Sequence, residues 1–203
     1  MGKSSRSEPR PSGRPGSPRA RLFLALEPRE EDRAALGDWR DALVAGRDDL
    51  RPTAAATLHL TLAFLGYRPE KEIPAIARAA FEAIGGAGPA LLVPEEVVGV
   101  PPRGPRLFAL DLADDGGRAG RVQEAASRAL ADRGFYTPEK RAWWPHVTLA
   151  RVKRGRRAEP LRDPPERALP PDIRAPLVTL YRSILRPQGA LYEPLERIEL
   201  KHG

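Results

Sequence analysis

The sequence predicts an α+β protein of two repeated lobes around a shared cleft, and three observations carry that expectation. Arg21-Leu-Phe-Leu-Ala-Leu-Glu27 is echoed by Arg106-Leu-Phe-Ala-Leu-Asp-Leu112 at an offset of 85 residues. Leu58-His-Leu-Thr-Leu-Ala-Phe64 is echoed by Pro145-His-Val-Thr-Leu-Ala-Arg151 at an offset of 87. Between the members of each pair lies a stretch with helical spacing of apolar residues. Two pairs at nearly one offset mean that a strand, helix, strand unit occurs twice.

The elements follow in order. Residues 1–20 are rich in Ser, Pro, Gly and Arg and lack the apolar stretch of a signal peptide, so they are expected to be a disordered basic tail. Its five cations, Lys3, Arg6, Arg10, Arg14 and Arg19, suit weak nonspecific contact with RNA. Residues 21–203 are read as one bilobal domain. Arg21–Glu27 and Arg106–Leu112 read as short, largely buried strands. Glu30–Val44 is a helix with Ala34, Ala35, Trp39, Ala42 and Leu43 on its apolar face. Gly117–Asp132 is its counterpart, with Val122, Ala125, Ala126, Ala129 and Leu130. A further helix covers about Glu70–Ile84, and Ala90–Val100 holds strand residues. Leu177–Leu185 and Leu191–Leu200 form a closing hairpin about Gln188-Gly189. Lys153–Arg174 carries Pro160, Pro164, Pro165, Pro170 and Pro171 and reads as an irregular basic loop at the cleft rim or on the surface.

The bulk properties narrow the chemistry. A chain of 203 residues that is 41% hydrophobic can bury one sizeable core. The net charge of +7 attracts polyanions. The absence of cysteine rules out disulfides, thiolate nucleophiles and Cys-ligated zinc, and it fits a reducing cytoplasm. The apolar run at Arg21–Glu27 is too short to cross a membrane. A cytoplasmic protein is expected.

Two of the three histidines are followed two positions later by Thr, in a chain with only six Thr. In a strand, residues i and i+2 project from one face. His59 and Thr61 then face one cleft while Leu58, Leu60, Leu62 and Phe64 pack behind, and His146 and Thr148 face the same way with Val147 and Leu149 behind. Single His-x-Thr patterns in strands are ordinarily packing or surface residues; two copies in a repeated frame point to chemistry. Paired imidazoles can act as general acid and general base, and hydroxyls can donate to phosphoryl oxygens as charge builds up. Two histidines with no cluster of Asp or Glu at ligand-like spacing are too few for a divalent ion. No metal and no cofactor is expected. The nearest acids in sequence, Glu70 and Glu139, are not spaced as ligands.

These motifs, with the opening Arg21–Glu27 strand and the closing Leu180-Tyr-Arg-Ser-Ile-Leu through Gly189 to Tyr192-Glu-Pro-Leu195, resemble the 2H phosphoesterase superfamily. The likeness is specifically to the bacterial and archaeal RNA 2′,3′-cyclic phosphodiesterases, also described as 2′-5′ RNA ligase-like proteins, and it covers roughly Arg21–Leu200. The resemblance implies two pseudo-symmetric lobes of antiparallel sheet plus helices around a central cleft. It implies hydrolysis of RNA ends bearing a 2′,3′-cyclic phosphate, tRNA fragments among the candidates, to 2′-phosphate ends. It makes His59 the proton donor to the leaving 3′ oxygen, His146 the base that activates water, and Thr61, Thr148 and Arg151 the phosphate-binding residues. Strand parity points Arg151 away from His146 unless a bulge re-aims it. Phe64 has core parity, and core packing is expected of at least one of Trp143 and Trp144, while stacking on a nucleobase is open to one of them.

A complete site within one chain makes a monomer sufficient. The same acid–base pair also serves 2′-5′ RNA ligation or hydrolysis of other cyclic or 2′-5′-linked nucleotides. A noncatalytic RNA-binding module would need neither histidine, and a metal-dependent phosphohydrolase would need more ligands than the sequence offers.

Overall fold

The computed structural model describes residues 17–158, 161, 169–186 and 189–201. One sheet organises them, with strand order β7-β4-β5-β6-β3-β1-β8-β9, and β2 pairing with β6. The strands are β1 (Arg19–Glu27), β2 (Leu50–Pro52), β3 (Leu60–Pro69), β4 (Ala90–Val100), β5 (Leu107–Asp115), β6 (His146–Val152), β7 (Ile173–Ala175), β8 (Leu177–Arg186) and β9 (Gly189–Glu199). Every pairing is antiparallel. The sheet divides into two four-stranded halves, β3-β1-β8-β9 and β7-β4-β5-β6. They meet where Leu60 of β3 pairs with Val147 of β6. The two repeated motifs therefore lie on adjacent central strands, as the duplication predicts.

Among the described residues, three α-helices cover the sheet: α1 (Glu30–Leu43), α2 (Ile73–Ile84) and α3 (Arg118–Asp132). Each has a local reason to start. Glu30, Glu31 and Asp32 sit in the first turn of α1, where the helix dipole favours negative charge. Pro74 occupies the opening turn of α2, where a missing N–H costs nothing. At α3, Gly117 takes a left-handed φ of 66°, and the Asp114 carboxylate accepts from the amides of Ala119 and Gly120 at 3.0 and 2.7 Å.

One hydrophobic core runs through both halves. Leu22, Leu24 and Leu26 of β1, Leu60 and Leu62 of β3, Leu110 and Leu112 of β5, and Val147 and Leu149 of β6 pack against Leu36, Ile76, Ala80, Val122, Ala126 and Leu130 of the helices. Each fully buried Leu contributes about 1.5–3 kcal/mol of transfer free energy. The opposite face of β1 carries Phe23 and Ala25, which pack with Tyr181 and Tyr192 on the cleft side.

Several details differ from the sequence reading. The folded chain begins before Arg21, since Arg19 and Ala20 already pair in β1 with Pro69 and Arg68. The rest of the N-terminal tail lies outside the described residues, apart from Ser17 and Pro18, which lead into β1. In α1 the buried side carries Leu36, Gly37 and Arg40, whereas Ala34 and Ala35 are not buried. The reason is close packing: Gly37 lies directly against Ala55, and the buried Arg40 donates to the Thr53 carbonyl. The last residues of the basic loop, Ile173 and Arg174, form β7 with β4, because the buried Ile173 belongs to the core. Residues 159–160 and 162–168 of that loop and Gln188 of the hairpin turn lie outside the described residues. Among the described residues, no helix is long and apolar enough to cross a membrane.

Candidate active site

The seam between β3 and β6 opens into a cavity of about 470 Å³, lined by His59, Thr61, His146, Thr148 and Arg151. All five candidate residues face one space. The two-residue alternation accounts for the His/Thr pairs, since Leu58, Leu60, Val147 and Leu149 are buried on the other side. Thr53 and Thr57 also line the cavity.

Two β-bulges set the rest of the wall. Along β3, Leu24 of β1 pairs with Ala63 and Ala25 pairs with Thr61, so Leu62 has no partner. Along β6, Phe108 of β5 pairs with Ala150 and Ala109 with Thr148, so Leu149 has none. Each extra residue reverses the alternation that follows it. Leu62 and Ala63 are consecutively buried, as are Leu149 and Ala150, and the next residue in each strand turns to the cavity. That residue is Phe64 in one half and Arg151 in the other. Phe64 is thus not in the core: it is 42% exposed and lines the cavity. The same device aims Arg151 at the histidines.

The two histidines are held alike. His59 Nδ1 lies 2.7 Å from the Thr57 carbonyl oxygen, and His146 Nδ1 lies 2.8 Å from that of Trp144. A carbonyl only accepts, so Nδ1 carries the proton in each case. This leaves Nε2 of each ring as the nitrogen able to exchange a proton. The Thr61 hydroxyl lies 3.3 Å from His59 Nε2 and donates to it when the ring is neutral. Aromatic rings fix both imidazoles: Phe23 at 5.0 Å and the edge-on Tyr192 at 5.3 Å beside His59, and Trp144 stacked at 4.0 Å on His146.

Burial pushes the pKa of both histidines below the ordinary imidazole value. The carbonyl contacts oppose that shift, and so does one carboxylate each, Glu27 for His59 and Asp111 for His146. The Arg151 charge lowers both further. Neither acid is the Glu70 or Glu139 that sequence proximity suggests. Asp111 pairs with His146 across β5 and β6, and its carboxylate accepts from Trp144 Nε1 at 2.6 Å. Glu27 follows Leu26, which pairs with Leu60, so it ends its strand beside His59. It accepts from the Thr179 hydroxyl and from Arg33 at 3.2 Å. Burial first, and then Glu27, push the Tyr181 hydroxyl well above its usual value. A sequence signal for the two acids exists: both repeated β1-type motifs place a carboxylate at or near the end of their apolar run.

Three more arginines, Arg21, Arg51 and Arg186, line the cavity, and no motif in the sequence marks them for it. Arg21 sits 4.4 Å over the Phe64 ring, and Arg51 pairs directly with Arg151 between β2 and β6. One of the two tryptophans packs in the core, as the sequence reading expects of at least one. Trp143 packs against the core and donates from Nε1 to the Thr61 carbonyl at 3.0 Å, while Trp144 covers His146. Both also line an adjoining groove of about 760 Å³. Among the described residues, no three His, Cys, Asp or Glu side chains gather as a metal-binding set.

The chain is similar in sequence and fold to known phosphoesterases. Residues 26–106 match the family described as LigT like Phosphoesterase. The RNA 2′,3′-cyclic phosphodiesterase of Thermus thermophilus is 35% identical over 204 residues, covering 90% of this chain and 92% of the relative. The crystal structure of TT0787 from Thermus thermophilus superposes with a TM-score of 0.74 at 30% identity, covering 89% of this chain and 98% of that one. Escherichia coli LigT, crystallised with 3′-AMP, shares the fold with a TM-score of 0.70 at 24% identity, covering 90% and 99%.

Proposed function

The chain belongs to the LigT-like phosphoesterase family of the 2H superfamily, and from that premise we propose that it hydrolyses RNA 2′,3′-cyclic phosphate ends to 2′-phosphate ends. The observation that carries the reading is the matched pair of histidines, each with Nδ1 fixed by a backbone carbonyl, lining one cavity with two threonines and Arg151.

The chemistry follows from those atoms. His146 Nε2 takes a proton from water as the water oxygen attacks phosphorus. The bond from phosphorus to the 3′ oxygen breaks, and His59, protonated at Nε2, donates to that oxygen. The product carries a 2′-phosphate and a 3′-hydroxyl, and the net proton count is unchanged. The hydroxyls of Thr61 and Thr148 and the Arg151 guanidinium contact the non-bridging oxygens, whose charge grows in the transition state. Burial favours a neutral His146, as a base requires. Glu27 counteracts burial at His59, which must hold its proton until the leaving oxygen needs it.

Residues 21–203 act in this reading as one bilobal domain and as a monomer, because both halves of the site come from one chain. Cytoplasmic RNA is the substrate pool it assumes. The test is incubation of the purified protein, in EDTA, with a short RNA ending in a 2′,3′-cyclic phosphate, followed by identification of the terminal group. A 2′-phosphate supports the reaction; unchanged RNA refutes it.

A further inference from the structure

The catalytic cavity holds more positive charge than a cyclic phosphate requires. A 2′,3′-cyclic phosphodiester carries one negative charge, yet Arg21, Arg51, Arg151 and Arg186 all line the cavity and, among the described residues, no Asp or Glu does. None of the four enters an ion pair among the described residues. The adjoining groove is different: its two arginines, Arg128 and Arg141, are paired with Glu124 at 2.5 Å and Glu139 at 3.3 Å. The chain has 27 acidic residues, so the lack of any among the described residues at the cavity wall is a local feature.

One of these arginines, Arg21, is also held in place without a carboxylate. Arg21 lies over the face of Phe64 and donates to the Ser183 hydroxyl at 3.2 Å. Phe64 stands two residues past the bulge in its half, as Arg151 does in the other. The first half thus presents a guanidinium on an aromatic face where the second presents one directly. Arg51 stands opposite Arg151 across the β2–β6 pair, and its guanidinium is about 3.5 Å from the place a Cβ on Gly189 would fill. Guanidinium groups without carboxylate partners keep their charge available for a ligand.

We propose that Arg21 and Arg51 form a second anion subsite, beside the catalytic one, that takes the phosphate on the 5′ side of the terminal nucleotide. The preferred substrate class is then a polynucleotide end or a 5′-phosphorylated nucleotide, in preference to a nucleoside 2′,3′-cyclic phosphate with a free 5′-hydroxyl. The proposal rests on the phosphodiesterase reading, with Arg151 serving the cyclic phosphate.

The experiment compares kcat/KM for adenosine 2′,3′-cyclic phosphate with and without a 5′-phosphate. A charge-assisted contact favours the 5′-phosphorylated form by about tenfold or more. Arg21→Gln and Arg51→Gln, each checked by thermal melting, reduce that ratio toward unity. Equal rates on the two substrates by the parent protein, or a proportional loss on both in the variants, overturn the subsite while leaving the reaction intact. Calorimetric binding of adenosine 2′-phosphate and adenosine 2′,5′-bisphosphate separates the two readings if neither substrate turns over. Tighter binding of the bisphosphate, lost in Arg51→Gln, supports the subsite without hydrolysis, and equal binding refutes it.

Discussion

Replacing either cavity threonine by valine tests the phosphate-holding role at nearly constant shape. Thr61 and Thr148 each exchange a hydroxyl for a methyl, so packing behind them is preserved. A hydrogen bond to a charged oxygen is worth about 1.5–3 kcal/mol. At about 1.4 kcal/mol per decade of rate, loss of one such bond in the transition state lowers kcat/KM by about 10- to 150-fold. The two variants should differ in one respect. The Thr61 hydroxyl also donates to His59 Nε2 at 3.3 Å, which favours the neutral ring. Thr61→Val removes that preference, raises the His59 pKa and moves the alkaline limb of the kcat/KM profile to higher pH. Thr148→Val removes no such contact and leaves the limb in place. The assay is steady-state hydrolysis of a short RNA 2′,3′-cyclic phosphate across pH, with a thermal melt of each variant. A loss below about threefold in both variants, with melts unchanged, would refute the role assigned to the hydroxyls.

His59→Ala and His146→Ala should each lower kcat by about 10²- to 10⁴-fold at an unchanged melting temperature. The double variant should lose less than the product of the two, and full additivity in kinetics would argue against a concerted pair. Because burial lowers both imidazole pKa values, the base loses its proton early as pH rises and the acid loses its own early too, so the kcat/KM maximum should lie below about pH 6.5. Asp111→Asn keeps an acceptor for Trp144 but removes the charge that supports protonated His146. The acid limb should move to lower pH, and a limb that stays or rises contradicts the electrostatic assignment. For stability, Phe108→Ala at a fully buried site should cost about 3–5 kcal/mol in denaturant unfolding. Asp114→Ala should cost about 1 kcal/mol through loss of the α3 cap, and a neutral result would show that water replaces the carboxylate at those amides.

Much of the site is legible in the sequence because it obeys short-range rules. Strand parity places His59 with Thr61 and His146 with Thr148 on one face each, and that needs only the two-residue period. The repeat at nearly constant offset then brings the pairs together, since duplicated units pack by pseudo-symmetry. Helix α3 reads in detail because Val122, Ala126 and Leu130 carry the pattern without competition. The apolar pattern misplaces one face of α1 because its buried side includes a glycine and an arginine, which hydrophobicity does not mark. Strands β2 and β7 escape a sequence reading because three-residue strands have too short a pattern to register and owe their existence to a partner's edge.

By itself, then, the sequence determined the repeat, the alternation that gives each half a histidine and a hydroxyl, and the excess of positive charge. Tertiary structure alone decided the positions of Phe64 and Arg151, because each depends on an unpaired residue, Leu62 or Leu149, whose bulge exists only where two strands pair out of step. It alone set Glu27 and Asp111 beside the histidines, since cross-strand neighbours are far apart in the chain. It alone gathered Arg21, Arg51 and Arg186 around the two histidines. The physical reason is the same throughout. Local backbone geometry fixes which side of a strand a residue takes, whereas register and closure of the sheet fix what stands opposite it.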